Sequence, residues 1–122
     1  MHRAPGIRVA RAMAAWAAAC LLATGGSFAG TPSATECAEG AEFIGNAARA
    51  RDAGMAREKF IDQLESDFVG IRSFPRELRW FVQDAADEAF LLGAARDVFD
   101  HPEDPGAHRV EFFRACMSRR YL

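Results

Sequence analysis

The residues best equipped for chemistry lie in one short run, Asp100-His101-Pro102-Glu103-Asp104-Pro105-Gly106-Ala107-His108. It gathers two imidazoles, His101 and His108, with the carboxylates of Asp100, Glu103 and Asp104. Imidazole nitrogen and carboxylate oxygen together suit a borderline cation such as zinc or nickel, and the prolines restrict the backbone that carries them. Set against this is a plainer reading, a solvated acidic connector with one helix cap. Metal motifs are recognised by fixed ligand spacing, and none is present. The expectation is therefore no resident metal and no cofactor, with His101 and His108 as the candidate ligands if the Asp100–His108 loop binds anything.

Other chemistry is thinner still. Asp84, Asp87 and Glu88 offer paired carboxylates for acid–base work, but at helical spacing such acids are usually a wet face, and no companion His or Arg constellation accompanies them. Nucleophilic catalysis needs a hydroxyl or thiol held by a base. Ser33, Ser66, Ser73 and Ser118 sit in no recognisable nucleophile turn. Phosphate, dinucleotide and zinc-protease fingerprints are missing, and Cys37 and Cys116 do not form a C-x-x-C pair. Arg72, Arg76 and Arg79 make a basic patch suited to an anion or, more simply, to salt links with neighbouring acids. No catalytic residue is assigned, and the chain reads as a non-enzyme.

The N-terminus reads as an address. Arg3, Arg8 and Arg11 precede an uncharged run, Ala12 to Ala23, and Ser27-Phe28-Ala29 supplies small residues at the positions that a signal peptidase inspects. Twelve apolar residues are too few for a bilayer core that needs about 20. Residues 1–29 are read as a signal peptide cleaved between Ala29 and Gly30, residues 30–35 as a loose leader and residues 36–122 as the folded domain, periplasmic or secreted. Loss of three arginines takes the net charge from −2 to −5. A mildly acidic exported domain lacks the basic surface that nucleic acid or an anionic membrane demands. No nucleic acid partner and no stable membrane insertion are expected.

Cleavage also makes the thiol count even. Cys20 leaves with the leader, and Cys37 and Cys116 remain near the two ends of the domain. In an oxidising compartment an isolated pair becomes a disulfide. A thiolate metal site is disfavoured because no His or Cys lies close to either residue in the chain.

The elements that must position these groups all have helical periodicity; β-branched residues are sparse and alternation is absent. Thr35 is the expected cap of a first helix whose inner face is Cys37, Gly40, Ala41, Ile44, Ala47 and Ala48, ending at Asp52 or Ala53 with Gly54 as its left-handed cap. A second helix of about fifteen residues follows Met55-Ala56, with Phe60, Ile61, Leu64, Phe68 and Ile71 inward. Phe74 to Phe99 is read as one central helix, kinked at most near Asp87, with Phe74, Leu78, Phe81, Val82, Ala85, Ala89, Leu92 and Phe99 on its main apolar face. A last helix begins at Pro105 behind Asp104 and turns Phe112, Phe113, Cys116 and Met117 inward. The expected fold is all-α, a small four-helix domain stapled by a single disulfide.

On the central helix, Trp80, Leu91 and Val98 form a thinner apolar line opposite the main face. Incompletely covered aromatics mark contact surfaces, so these three are the candidate interaction surface, with burial under a neighbouring helix the competing reading. The series Cys37, Ala41, Ile44, Ala47, Arg51, Gly54, Phe60, Leu64, Leu78, Val82, Phe112 and Cys116 resembles a group of short exported proteobacterial helical proteins in which cysteines bracket the mature chain. That resemblance implies a periplasmic address and no particular chemistry. Disulfide-stapled helical acid-stress chaperones are similar in size and architecture only. The function expected is protein interaction, with another envelope protein as partner, or envelope homeostasis. The alternative is a small metal- or ligand-binding module built on the Asp100–His108 loop.

Overall fold

In the computed structural model, residues 32–119 are described. They form four α-helices, α1 (Ala34–Asp52), α2 (Arg57–Ile71), α3 (Ala85–Asp100) and α4 (Pro105–Ser118), with a 3-10 turn at Arg76–Leu78 between α2 and α3. No strand occurs among the described residues. The domain is thus the expected all-α four-helix unit. The expected signal peptide and its cleavage point, Ala29/Gly30, lie outside the described residues. Among those described, no helix is long and apolar enough to cross a membrane.

The first helix begins earlier than Thr35 predicts. Ser33 is its cap: the Ser33 hydroxyl accepts from the Glu36 amide at 3.1 Å, and the Glu36 carboxylate reaches back to Ser33. Spacing decides this, because Ser33 has a glutamate three residues on and Thr35 does not. Ala34 and Thr35 therefore belong to the helix and not to a loose leader. At the other end, the Gly54 amide donates to the Arg51 carbonyl and the Met55 amide to the Ala50 carbonyl, with Gly54 at φ +99°. That is the paired bonding of a Schellman stop, and it needs a residue free to turn left-handed.

α1 packs against α4 along most of its length and also contacts α3; α2 leans on α3. The α1–α4 pair is antiparallel: Cys37 bonds Cys116, Gly40 lies under Phe112, and Gly45 lies under Arg109. Small residues allow this approach. A Cβ on Gly40 would fall 2.5 and 2.8 Å from carbons of the Phe112 ring, and one on Gly45 would fall 2.6 Å from the Arg109 stem. The expected disulfide closes the seam, with a Cα–Cα separation of 5.6 Å across 79 positions of chain.

The chain from Phe74 to Phe99 is not one helix. After the 3-10 turn the backbone breaks at Trp80, which adopts φ +57°, and helix resumes only at Ala85. The cap is Asp84, whose carboxylate accepts from the Asp87 amide at 2.9 Å, so the restart falls three residues before the expected position. Side chains replace the missing helical bonds. Arg79 donates to the carbonyls of Phe74, Arg72 and Gln83, and the Gln83 amide donates to those of Trp80 and Arg76. Backbone groups that leave a helix need such partners.

The break shifts the phase of everything beyond it. Leu91, Ala95 and Val98 are fully buried, whereas Ala85 and Ala89, on the expected core face, are exposed. Phe74 and Leu78, also expected inside, are exposed on the connection. Asp87, read as part of a wet face, is buried: its carboxylate accepts from the backbone N–H of Gln83 at 3.0 Å and from the Arg119 guanidinium at 2.9 Å, and that guanidinium lies over the Phe90 ring. Phe113 is turned outward, while Phe112 and Cys116 are in the core as expected. The core is completed by a cluster of Phe81, Phe90 and Phe112, with ring centroids 5.2 to 6.2 Å apart.

Two outcomes test this packing. Gly40→Ala should cost about 1–3 kcal/mol, because the buried Phe112 ring cannot yield, whereas Gly45→Ala should be near neutral, since the exposed Arg109 stem can swing aside and alanine favours helix. Replacing both cysteines of the bond by alanine should lower stability by about 4 kcal/mol in the chain-entropy account. Urea unfolding of the three variants beside the parent measures each cost.

Candidate functional site

α3 and α4 both rest on α1, with their backbones apart and side chains such as Phe90 and Phe112 in contact. Between them lies an open cleft of about 470 Å³. Ile44, Phe90 and Phe112 form its apolar walls, and Asp97, His108 and Glu111 line one end. A concave apolar site with a few convergent polar groups is the usual form of a ligand site.

Those three polar residues come from two helices. Asp97 is in the last turn of α3, and His108 and Glu111 are in the first two turns of α4. One donor atom from each lies within 4.8 Å of the others. His108 is 3% exposed, while Asp97 and Glu111 face solvent. The start of α4 is held by Asp104, which accepts from the Ala107 amide at 3.0 Å, with Pro105 in the first turn, as the sequence predicts.

Arg51, at the end of α1, fixes the loop between α3 and α4. Its guanidinium donates to the Val98 carbonyl at 2.7 Å and the Glu103 carbonyl at 2.6 Å, and lies 3.4 Å from His108 Nε2. The Glu103 amide donates to the same nitrogen at 3.0 Å. That bond puts the proton of the neutral ring on Nδ1. At the far side, Arg57 of α2 forks onto both oxygens of Asp100, at 2.7 and 3.1 Å.

The carboxyl groups at this end of the cleft crowd one another. A hydrogen bond with Glu103 raises the Glu111 carboxyl above its ordinary value, with desolvation and the nearby charge of Asp97 acting the same way, while His108 opposes them. Neighbouring carboxylates disfavour one another's charged form, and a positive charge between them would relieve that. Each donor has another attachment in this arrangement. Asp97 meets His101 Nδ1 at 2.7 Å, Glu111 has Glu103, and His108 Nε2 has the Glu103 amide. A cation on the ring requires the Glu103 amide to leave Nε2, which links occupancy to the position of the loop.

Of the two candidate histidines, only His108 joins this cluster; His101 is exposed and serves Asp97 from outside. The loop contributes less than its sequence implies, since Asp100 is taken by Arg57 and Asp104 by the helix cap. Asp97, Glu111 and Arg51 were not singled out as site residues. The spacing of His108 and Glu111 was available as a signal, for residues three apart share a helix face; Asp97 belongs with them only through the meeting of two helices. Neither Leu91 nor Val98 is available as a contact surface, both being 0% exposed. Trp80 is partly buried and edge-on to Phe43 and Phe81.

Fold and site together define a small all-helical domain in which one disulfide joins two helices and an acidic, histidine-bearing cleft opens beside them. No protein-family model, curated protein or solved structure matches this chain. What stands from the resemblance drawn above is that architecture, without a family.

Two measurements test the loop. Arg51→Met keeps the stem and removes the donors, leaving two carbonyls to find water; it should cost about 2–3 kcal/mol, read by urea unfolding. The Arg57 guanidinium, by hydrogen bonding, holds the Asp100 carboxyl below its ordinary value of 3.8. A carboxyl depressed on folding stabilises above the unfolded value, and that contribution disappears as pH falls through the folded value. Asp100→Asn should therefore lower the urea midpoint near neutral pH and make little difference at about pH 2.

Proposed function

We propose that this chain is an exported, non-enzymatic binding module whose cleft takes a divalent cation of borderline softness, zinc or nickel, through Asp97, His108 and Glu111. The observation that supports it is the convergence of one buried imidazole and two carboxylates, carried by two helices, within 4.8 Å of one another. Imidazole nitrogen and carboxylate oxygen are ligand types that zinc takes, and three protein ligands leave a position for water. The apolar walls lower the local dielectric and strengthen the attraction between cation and carboxylates. Export is supported by the leader-like pattern at residues 1–29 and by the disulfide, a bond that persists in oxidising compartments.

Calorimetric titration of the oxidised full chain with zinc chloride, after treatment with a chelator, tests this. One equivalent should bind at neutral pH, more weakly as pH falls, because protons compete for the same donors. Asp97→Asn and Glu111→Gln should each weaken binding by roughly tenfold or more, and His101→Ala should leave it nearly unchanged. A flat titration, or equal loss on removing His101, would refute the assignment.

A second reading, protein interaction, is favoured by a different observation. Val110 and Phe113 are exposed on the far side of α4, 49% and 36%, beside a second groove against α1. This face, and not the line through Trp80, Leu91 and Val98, is the surface to which a partner would bind.

A further inference from the structure

From that groove we infer the chemistry of the partner: an acidic amphipathic helix, seated between α1 and α4 with its carboxylates on Arg109 and Arg114. The inference rests on the interaction reading and is independent of the cation site. The groove measures about 420 Å³; its floor and walls are Ala38, Ala41, Gly106, Val110 and Phe113, and its only charged lining residues are those two arginines. In a chain with 17 acids against 15 Lys and Arg, that is a local reversal of sign. Arg109 is already paired with Glu42 at 2.9 Å, while Arg114 has no ion pair among the described residues. An incoming carboxylate gains a free guanidinium at one edge and joins a paired one at the other.

Shape selects a helix. Gly106 to Phe113 is two turns of α4, about 10 Å at the helical rise. A partner helix laid along it presents apolar residues at i, i+3 or i+4, and i+7, the repeat that a two-helix groove accepts. The helical walls offer no sheet edge on which an extended peptide could pair. A second copy of this chain is disfavoured by symmetry, because a two-fold contact through the same patch would set the arginines of one copy against those of the other. The groove is open along its length, and an acyl chain would remain largely wetted there.

The experiment is selection from a displayed library of two- to three-turn helices, with Leu or Phe at the apolar positions and Glu or Lys at random along both edges, on the oxidised full chain. Recovered helices should carry Glu in place of Lys, move the amide resonances of Ala38, Ala41, Val110 and Phe113, and bind Arg114→Glu roughly tenfold more weakly, as a reversed rim charge requires. Helices that occupy the groove with no preference for Glu and no response to Arg114→Glu would overturn the acidic partner while leaving the interaction reading in place. Recovery of no helix, or of helices that bind Phe113→Asp as well as the parent, would overturn both. A concentration-dependent dimer that moves the same four resonances, or laurate moving them where peptides do not, would replace the proposed occupant.

Discussion

The approach of α1 to α4 is the constraint on which the remainder of the domain depends. Gly40 leaves no side chain where the buried Phe112 ring must lie, and Cys37–Cys116 joins the two helices at one end of the seam. A chain of this size buries a modest core, so a covalent bond across nearly the whole domain contributes a large share of its stability. The bond also fixes register. With Cys37 opposite Cys116 in an antiparallel pair, Gly40 falls opposite Phe112 and no other alignment satisfies both.

From that seam the positions of the other helices follow. α3 lies on the other flank of α1, and α2 leans outward on α3, so α1 is the common support. Because α3 and α4 share a support and meet through side chains with their backbones held apart, a cleft opens between them, and what lines it is decided by which faces they turn inward. Arg51 then ties the connecting loop to the end of α1 through two backbone carbonyls and the neighbourhood of His108. The buried imidazole is held in place by the scaffold, and the acids around it remain exposed.

The opposite side of α4 has a different character. There the groove is lined by apolar residues and two arginines, one of them paired with Glu42 of α1. One helix thus presents an acidic, histidine-bearing face to the cleft and an arginine-flanked apolar face to solvent, with the disulfide holding both at fixed distances from α1.

Local signals determined a good deal. Asp104-Pro105 starts α4, Gly54 ends α1, the small-residue face of α1 is buried, and the two cysteines pair. Each of these depends on neighbours in the chain or on pairing arithmetic, which is why residue order alone was enough. The sequence does carry a trace of the misread helix, because Arg96 falls between Leu92 and Phe99 on the supposed core face. The break itself was not legible, because nothing local forbids helix from Arg79 to Gln83. It is stabilised by hydrogen bonds from Arg79 and Gln83 to carbonyls up to seven residues away, and by burial of Phe81 and Val82, which only the assembled core rewards. The same holds for the site. His108 and Glu111 share a helix face by spacing, but Asp97 joins them, and His101 and Asp100 leave, only once two helices cross the first at fixed angles. Periodicity reports which residues point the same way along one helix; where faces of different helices meet is settled by packing, and packing is a property of the whole chain.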